Sequence, residues 1–271
     1  MTTFKFETIL ANEAQGIGDF DIVTFASSPA AAATAIYGMN TVTITVGART
    51  VEFGQLVSNA SLQGNLEFAD GSKLYLGNAL DNNITGTLLS DGLFGGAGND
   101  SLSGSEGNNL LQGNQGNDTL NAGNGSDTLY GGKDNDSLSA GNGANWMQGN
   151  IGNDSIVGGT AADVVRGGQD NDSINGGNGD DWLSGDRGAD TLTGGNGADI
   201  FHSWNQAGVD RITDFHLNEG DRVLLDAGTT YTTFQLQGSN DTVVDMGGGN
   251  QVVLVGVSIN SLTGQDWITV G

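Results

Sequence analysis

The sequence predicts an all-β protein built around a parallel β-roll. Three observations carry this prediction. Glycine accounts for 47 of the 271 residues, and one nine-residue pattern repeats without a gap from Gly77 to His202. In addition, 26 of the 32 acidic residues are aspartate, which is a poor helix former, as glycine is. The composition therefore argues against a mainly helical fold and favours an array of turns and short strands.

The repeat consists of fourteen consecutive units, whose residues we number from position 1 to position 9. Position 1 is glycine in twelve units and alanine in two, position 6 is aspartate in eleven and asparagine in three, and position 8 is apolar in all fourteen. The glycine-rich first half predicts a tight turn with positive φ angles. Positions 7 to 9 predict a very short strand whose middle side chain points inward. Two units then close one coil, and the stretch predicts about seven 18-residue coils.

The side chains at position 6 predict metal sites. Alternate units lie on the same edge of the roll, so these side chains form two columns. The first edge carries Asp100, Asp118, Asp136, Asp154, Asp172 and Asp190, and the second edge carries Asp91, Asn109, Asp127, Asn145, Asp163, Asp181 and Asp199. Carboxylates stacked about 4.8 Å apart repel one another unless a cation lies between them. Ligands that are all oxygen favour calcium over zinc.

Departures from the pattern indicate which turns bind metal weakly. The first two units carry Leu80 and Leu89 at position 4, and Asn109 and Asn145 interrupt the second column with neutral groups. The predicted metal ligands are Asp100, Asp118, Asp136, Asp154, Asp172, Asp190, Asp127, Asp163, Asp181 and Asp199. Two aspartates flank the gaps at 100/118, 118/136, 136/154, 154/172, 172/190, 163/181 and 181/199, which predicts about seven Ca²⁺ ions.

The charge of the repeat agrees with this number. Residues 77–202 contain 17 acids and 3 bases, a net charge of −14, and seven divalent ions would bring +14. Without metal we expect this stretch to be an expanded, self-repelling coil, so that metal binding supplies folding free energy.

The units resemble the G-G-x-G-x-D-x-U-x nonapeptide of the RTX (repeats-in-toxin) calcium-binding proteins, most clearly in Gly95 to Ser103. The resemblance implies a parallel β-roll with calcium between successive turns. It also implies a secreted protein, extracellular or at the cell surface, which leaves through the type I secretion machinery by an uncleaved C-terminal signal. The stretches Asp210 to Phe215 and Thr242 to Val257 look like the C-terminal cap and secretion region of that family.

Three segments are therefore expected. They are a small β-rich N-terminal domain (1–76), the calcium-binding β-roll (77–202), and a β-rich C-terminal cap with the type I secretion signal region (203–271). In the first, Asp70-Gly71 predicts a hairpin turn, and Ala30 to Ala35 favours a short helix. Met1 to Gln15 lacks the apolar stretch of a signal peptide. The sequence contains no run of about 18 apolar residues, so no membrane insertion is predicted.

The two outward faces of the predicted roll differ. Position 7 is polar in every odd-numbered unit, whereas most even-numbered units carry an apolar residue there. We name the apolar ladder after the outward residues Leu110, Tyr130, Trp146, Val164, Trp182 and Ile200. On a protein with a net charge of −24 such a ladder needs a cover. Two alternatives remain open: the chain's own N- or C-terminal segment packs there, or another protein subunit does.

Several functional classes are excluded at this point. The negative charge argues against nucleic acid, and the absence of cysteine removes thiolate chemistry. With only His202 and His216, the HExxH motif is absent, and so is G-x-S-x-G, which predicts a nonenzymatic protein. One remaining alternative is a secreted protein that self-assembles into a surface layer, filament or matrix component. The other is a monomeric calcium-dependent adhesin or an excreted binding or effector module.

Overall fold

The computed structural model describes residues 71–263 and 266–271, together with the backbone of six strands before residue 71. The chain divides into two compact units, Met1–Asp136 and Ser137–Gly271. Both units are all-β, and the helical element among the described residues is a short 3-10 turn at Ile259–Leu262. Across the described ranges, no helix has the length and apolar character needed to cross a bilayer.

The first unit combines two parallel sheets with a small antiparallel one. Its strands are β1 (Thr3–Lys5), β2 (Ile22–Phe25), β3 (Ala33–Tyr37), β4 (Val42–Val46), β5 (Arg49–Phe53), β6 (Gly64–Phe68), β7 (Lys73–Leu76), β8 (Asn83–Thr85), β9 (Gly92–Ala97), β10 (Ser101–Ser103), β11 (Leu110–Gln115), β12 (Thr119–Asn124) and β13 (Thr128–Lys133). One sheet has the order β1-β2-β6-β7-β9-β11-β13, another β8-β10-β12, and the third β3-β4-β5. β6 and β7 pair antiparallel, as the predicted hairpin requires, and Asp70 of the predicted turn lies outside the described residues. The short helix expected at Ala30 to Ala35 is wrong, because Ala33–Tyr37 pairs with β4 as a strand.

The second unit continues the same coil pattern. Its strands are β14 (Ser137–Asn142), β15 (Trp146–Ile151), β16 (Ser155–Gly159), β17 (Val164–Gln169), β18 (Ser173–Asn178), β19 (Trp182–Arg187), β20 (Thr191–Asn196), β21 (Ile200–Ser203), β22 (Val209–Ile212), β23 (Arg222–Leu225), β24 (Thr232–Gln235), β25 (Thr242–Gly247), β26 (Asn250–Leu254) and β27 (Ile268–Val270). One sheet has the order β15-β17-β19-β21-β23-β27 and the other β14-β16-β18-β20-β22-β26-β25-β24. β25 and β26 pair antiparallel and form a hairpin within the stretch Thr242 to Val257.

Strands 18 residues apart pair in parallel and in register, as Leu111 with Leu129 and Val165 with Leu183. Within each compact unit this arrangement stacks the position-8 side chains of paired strands, and all of them are buried. The position-8 file of the first compact unit consists of Ile84, Leu93, Leu102, Leu111, Leu120 and Leu129, and that of the second consists of Leu138, Met147, Ile156, Val165, Ile174, Leu183, Leu192 and Phe201. The predicted all-β fold with a parallel β-roll is confirmed.

The strands of the roll are longer than the three residues predicted. Most run for six residues, because the extended chain continues through the first three positions of the next unit, as in Leu110–Gln115. Positive φ angles occur at position 2, near the end of the strand, and at position 4, in the turn that follows; examples are 110° at Gly96 and 99° at Gly98. Glycine reaches this region at little cost, and asparagine and aspartate tolerate it, as Asn114 (84°) and Asp134 (74°) do here. The backbone thus explains the G-G-x-G part of the unit.

Candidate metal centre

The position-6 aspartates lie in the turns and lace successive coils together. In the compact unit Met1–Asp136, the N–H of Asp100 donates to Oδ1 of Asp118 at 2.7 Å. In the second unit, the N–H of Asp172 donates to Oδ1 of Asp190 at 2.7 Å, and that of Asp181 to Oδ1 of Asp199 at 2.9 Å. One carboxylate oxygen of each acceptor is thus used to hold the backbone of the preceding coil. That contact explains why a short side chain with an acceptor oxygen stands at this position, since Oδ1 of Asn109 accepts the N–H of Asp91 in the same way.

The second carboxylate oxygen has a different environment. Among the described residues, no hydrogen-bond donor reaches the buried Oδ2 atoms of Asp100, Asp118, Asp163, Asp172, Asp181, Asp190 and Asp199. These side chains are at most 3% exposed, so water does not solvate them freely either. Asp127, Asp136 and Asp154 are buried to the same degree. A buried anionic oxygen without a donor is costly, so the seven Oδ2 atoms named first are candidate ligands of a cation.

Position-1 glycines make room for these oxygens. A Cβ on Gly95 would overlap Oδ2 of Asp100, and a Cβ on Gly176 would overlap Oδ2 of Asp181. At Gly158 the same Cβ would lie 2.6 Å from Oδ2 of Asp163. The repeat therefore keeps a small space next to each carboxylate.

Burial also raises the pKa values of these carboxyl groups when no metal is bound. The pKa rises to about 7 at Asp118 and at Asp181, because removal from water disfavours the charged form and neighbouring acids add repulsion. At Asp172 burial raises the pKa to about 8, with the charges of Asp190 and Asp154 adding to the effect. The site therefore resists carrying its own negative charge, and a bound cation would reverse this.

The remaining ligands must come from the backbone. Within the described ranges, no three histidine, cysteine, aspartate or glutamate side chains converge on one point. Asn109, which replaces aspartate at position 6, shows what faces such a side chain: its Nδ2 donates to the carbonyl oxygens of Glu106 (3.1 Å) and Gly107 (3.0 Å). Carboxylate and carbonyl oxygens together form the ligand set that calcium prefers, so the residues present fit this ion.

The family comparison agrees with this geometry. The family model for the RTX calcium-binding nonapeptide repeat, which spans four copies, matches residues 76–111, 103–138, 112–147, 139–174, 148–183 and 175–209. Residues 76–209 therefore contain RTX calcium-binding nonapeptide repeats. RTX repeats bind calcium and are typical of secreted proteins.

The other comparisons add little. No curated protein matches the chain. Among solved structures, the extracellular lipase LipA from Serratia marcescens is similar at 18% identity and a TM-score of 0.36, and the match covers 77% of this chain and 40% of the lipase. The chain thus spans less than half of that enzyme, and a similarity this low is no guide to activity.

Two further aspartates extend the RTX columns beyond the predicted repeat. Asp210 accepts the N–H of Asp190 (3.3 Å), and Asp221 accepts the N–H of Asp199 (3.0 Å), so each occupies the position-6 place of a further coil. The regular repeat does not predict either residue, because the spacing grows from 18 to 20 and 22 residues. The signal that remains is an apolar residue two positions later, the fully buried Ile212 and Val223.

A second ladder of the RTX turns, at position 5, was also missed. The N–H of Asn117 donates to Oδ1 of Asn99 at 2.8 Å, and the N–H of Asn171 donates to Oδ1 of Asn153 at 2.9 Å. These bonds run from a later coil to an earlier one, opposite in direction to those at position 6. The recurrence of asparagine every 18 residues was the available signal. This ladder joins the coils without a metal.

The outward sheet face is covered just before the apolar ladder begins. Phe94, an outward residue that precedes the ladder, is fully buried, and strand β3 of the N-terminal segment contacts its strand β9. Further along, Leu110, Tyr130, Trp146 and Trp182 are half-buried, whereas Val164 and Ile200 are each 37% exposed. Trp182 stacks on His202 at 5.0 Å, and Nε2 of that histidine lies 3.0 Å from Oδ1 of Asp226. Both alternatives for the cover of the ladder therefore stay open.

Proposed function

We propose that the repeat region folds only when it binds calcium, and that the chain leaves the cell through the type I secretion machinery before it folds. The observation that carries this proposal is the set of buried Oδ2 atoms that no donor from the described part of the chain reaches, at Asp100, Asp118, Asp163, Asp172, Asp181, Asp190 and Asp199. Bound calcium would supply positive charge between carboxylates of successive coils. The ten predicted aspartates are the proposed ligands, and the number of about seven ions is part of the proposal.

The chain's own residues explain why folding would depend on the ion. Each coil contributes two inward side chains at position 8, which is a thin core. Oδ1 of the position-6 aspartates already accepts a backbone N–H, so only Oδ2 and the turn carbonyls remain as ligands. Cytosolic calcium is too low to fill sites of moderate affinity, whereas extracellular calcium is millimolar. The chain would therefore stay unfolded inside the cell and fold outside.

A calcium titration of the purified chain tests this proposal. Far-ultraviolet circular dichroism should change from a coil spectrum in excess chelator to a β spectrum in millimolar calcium, and magnesium at the same concentration should not replace it. A fully folded chain in excess chelator would contradict the proposal.

Beyond calcium binding, we propose that the folded protein self-assembles into a surface layer, filament or matrix component through the apolar ladder. The support is the exposure of Val164 and Ile200 on either side of Trp182 in one sheet, as paired neighbours of that residue. The competing function is a monomeric calcium-dependent adhesin or binding module. The segment boundaries 76/77 and 202/203, the secretion role of residues 203–271 and the absence of enzymatic activity are likewise proposals.

Electron microscopy and light scattering with and without calcium separate the two functions. Ordered polymers that form only with calcium favour self-assembly, and monomers that persist at high concentration favour the binding module. The double variant Trp146→Ser, Trp182→Ser should block assembly while its calcium-induced circular dichroism stays intact. If this variant instead fails to fold as a monomer, the ladder is covered within the chain itself.

A further inference from the structure

The position-6 side chains fall into two kinds. In the open turns, such as those of Asp172, Asp181 and Asp190, Oδ2 is buried and no donor among the described residues reaches it. In the closed turns, a protein group supplies the missing hydrogen bond. At Asp91 the donors to Oδ2 are the backbone N–H and the hydroxyl of Thr87. At Asp221 the donor is the N–H of His216, 2.7 Å away.

The two internal asparagines of the second edge are closed turns as well. Nδ2 of Asn109 donates to the carbonyls of Glu106 and Gly107 at 3.1 and 3.0 Å. Nδ2 of Asn145 donates to the carbonyl of Gly143 at 2.6 Å and to Oδ1 of Asp163 at 3.0 Å. In both turns an amide N–H points at the oxygens that would otherwise bind a cation. The amide nitrogen therefore occupies the place of the ion's positive charge.

Each compact unit contains further closed turns. In Met1–Asp136, Nδ2 of Asn82 donates to Oδ1 of Asn78 at 3.1 Å, and Asp91 is the other example. In Ser137–Gly271, Oδ2 of Asp210 accepts the hydroxyl of Ser203 at 3.3 Å, and Asp221 is the other example. In these turns a protein group pairs with the position-6 side chain.

We propose that Asn109 and Asn145 form metal-free turns in which the side-chain amide takes the place of a calcium ion. The second edge then binds fewer ions than the first edge, where the six position-6 residues from Asp100 to Asp190 are all aspartate. This inference rests on the proposed calcium-dependent folding. Asparagine at position 6 then replaces both the aspartate and its metal ion, and is not merely a weaker ligand.

Four single variants test the inference in the full-length chain. Asn109→Asp and Asn145→Asp convert closed turns into open ones, and each should bind about one to two more Ca²⁺ ions per chain than wild type, because new gaps flanked by two aspartates arise. Asp181→Asn converts an open turn into a closed one and should bind about one to two ions fewer, yet fold at a calcium midpoint lower than that of wild type, by about twofold or more. Asp181→Ala removes the ligand without supplying an amide and should raise that midpoint.

Ion counts by mass spectrometry after equilibrium dialysis, and midpoints by circular dichroism, give independent readouts. Unchanged ion counts in both asparagine-to-aspartate variants, or equal midpoints for Asp181→Asn and Asp181→Ala, would overturn the inference. If the asparagine-to-aspartate variants fail to fold, the comparison at Asp181 decides. Wild-type protein that binds no calcium overturns the proposed function as well, and this separate measurement distinguishes the two failures.

Discussion

A repeat strand and the C-terminal hairpin of the second unit bury their side chains in different ways. In β18, Ile174 is buried while both its neighbours, Ser173 and Asn175, are exposed. In the hairpin, Val243 and Val244 are adjacent in sequence and both are buried, and Val252 and Leu254 are buried on the partner strand. The hairpin therefore buries both faces of a strand, whereas the repeat buries only one.

This difference separates two ways of holding a sheet together. The hairpin has apolar contacts on both sides, as expected of a β structure that is stable by itself. The repeat strand offers one apolar side chain, and its turns place acids next to one another, as at Asp172 and Asp190. The repeat must therefore gain its remaining stability from groups in the turns. If so, loss of the turn groups should weaken the repeat far more than the hairpin.

Removal of calcium should affect the two regions most unequally. Each ion bound at a hundredfold excess over its Kd contributes about 2.7 kcal/mol, so the loss of several ions exceeds the stability of a typical domain. Hydrogen exchange measured in excess chelator should show full exchange in residues 155–196. Residues 242–254 should keep measurable protection. Equal loss of protection in both regions would show that the hairpin depends on the repeat and not on its own core.

Acid should partly replace calcium in the metal-free repeat. The pKa values of Asp118 and Asp181 (about 7) and Asp172 (about 8) lie above the value of an unfolded aspartate, so the folded state binds protons more tightly. This contribution to stability is fully present below about pH 4 and is lost as the pH rises through 6 to 8. In excess chelator, circular dichroism should therefore show more β structure at pH 5 than at pH 8. With saturating calcium, where the carboxylates are already neutralised by the ion, this pH dependence should vanish.

The repeat itself could be predicted in most of its parts, because its burial has the period of the sequence. Position 8 had to be inward and the position-6 aspartates had to stack, since 18 residues return the chain to the same edge. Asp210 and Asp221 were missed where that period stretches. The position-5 ladder was missed because a side chain that bonds to the backbone of another coil leaves no pattern of apolar residues.

Outside the repeat, tertiary pairing decided what local preference did not. Alanine favours a helix, yet Ala33–Tyr37 pairs with Val42–Val46 and becomes a strand. Phe94 stands at an outward position of its coil and is nevertheless fully buried, because the strand that carries it contacts β3. Neither contact is visible in the local sequence, since each depends on a partner far along the chain.

A single core truncation should show how little redundancy the repeat has. Leu183 is fully buried at position 8, and Leu183→Ala is expected to lower the free energy of unfolding by about 3 kcal/mol in saturating calcium. The matched control is Ser173→Ala, at an exposed outward position of the neighbouring coil, with an effect within about 0.5 kcal/mol. Denaturant unfolding monitored by circular dichroism measures both. An equal effect of the two variants would mean that the position-8 file does not stabilise the roll.

Loss of one hydrogen bond of the position-5 ladder should lower the free energy of unfolding only slightly, and this bond involves no metal. Oδ1 of Asn171 accepts the N–H of Ala189 at 2.7 Å, on the exposed side of the turn. Asn171→Ala removes one such bond and should cost about 0.5–1.5 kcal/mol in saturating calcium, without changing the number of ions bound. Asn175→Ala, at an exposed position of β18, is the matched control and should have no measurable effect. A lower ion count in Asn171→Ala would show instead that the position-5 hydrogen bonds shape the metal sites. The hydrogen bonds between coils and the binding of calcium would then depend on each other.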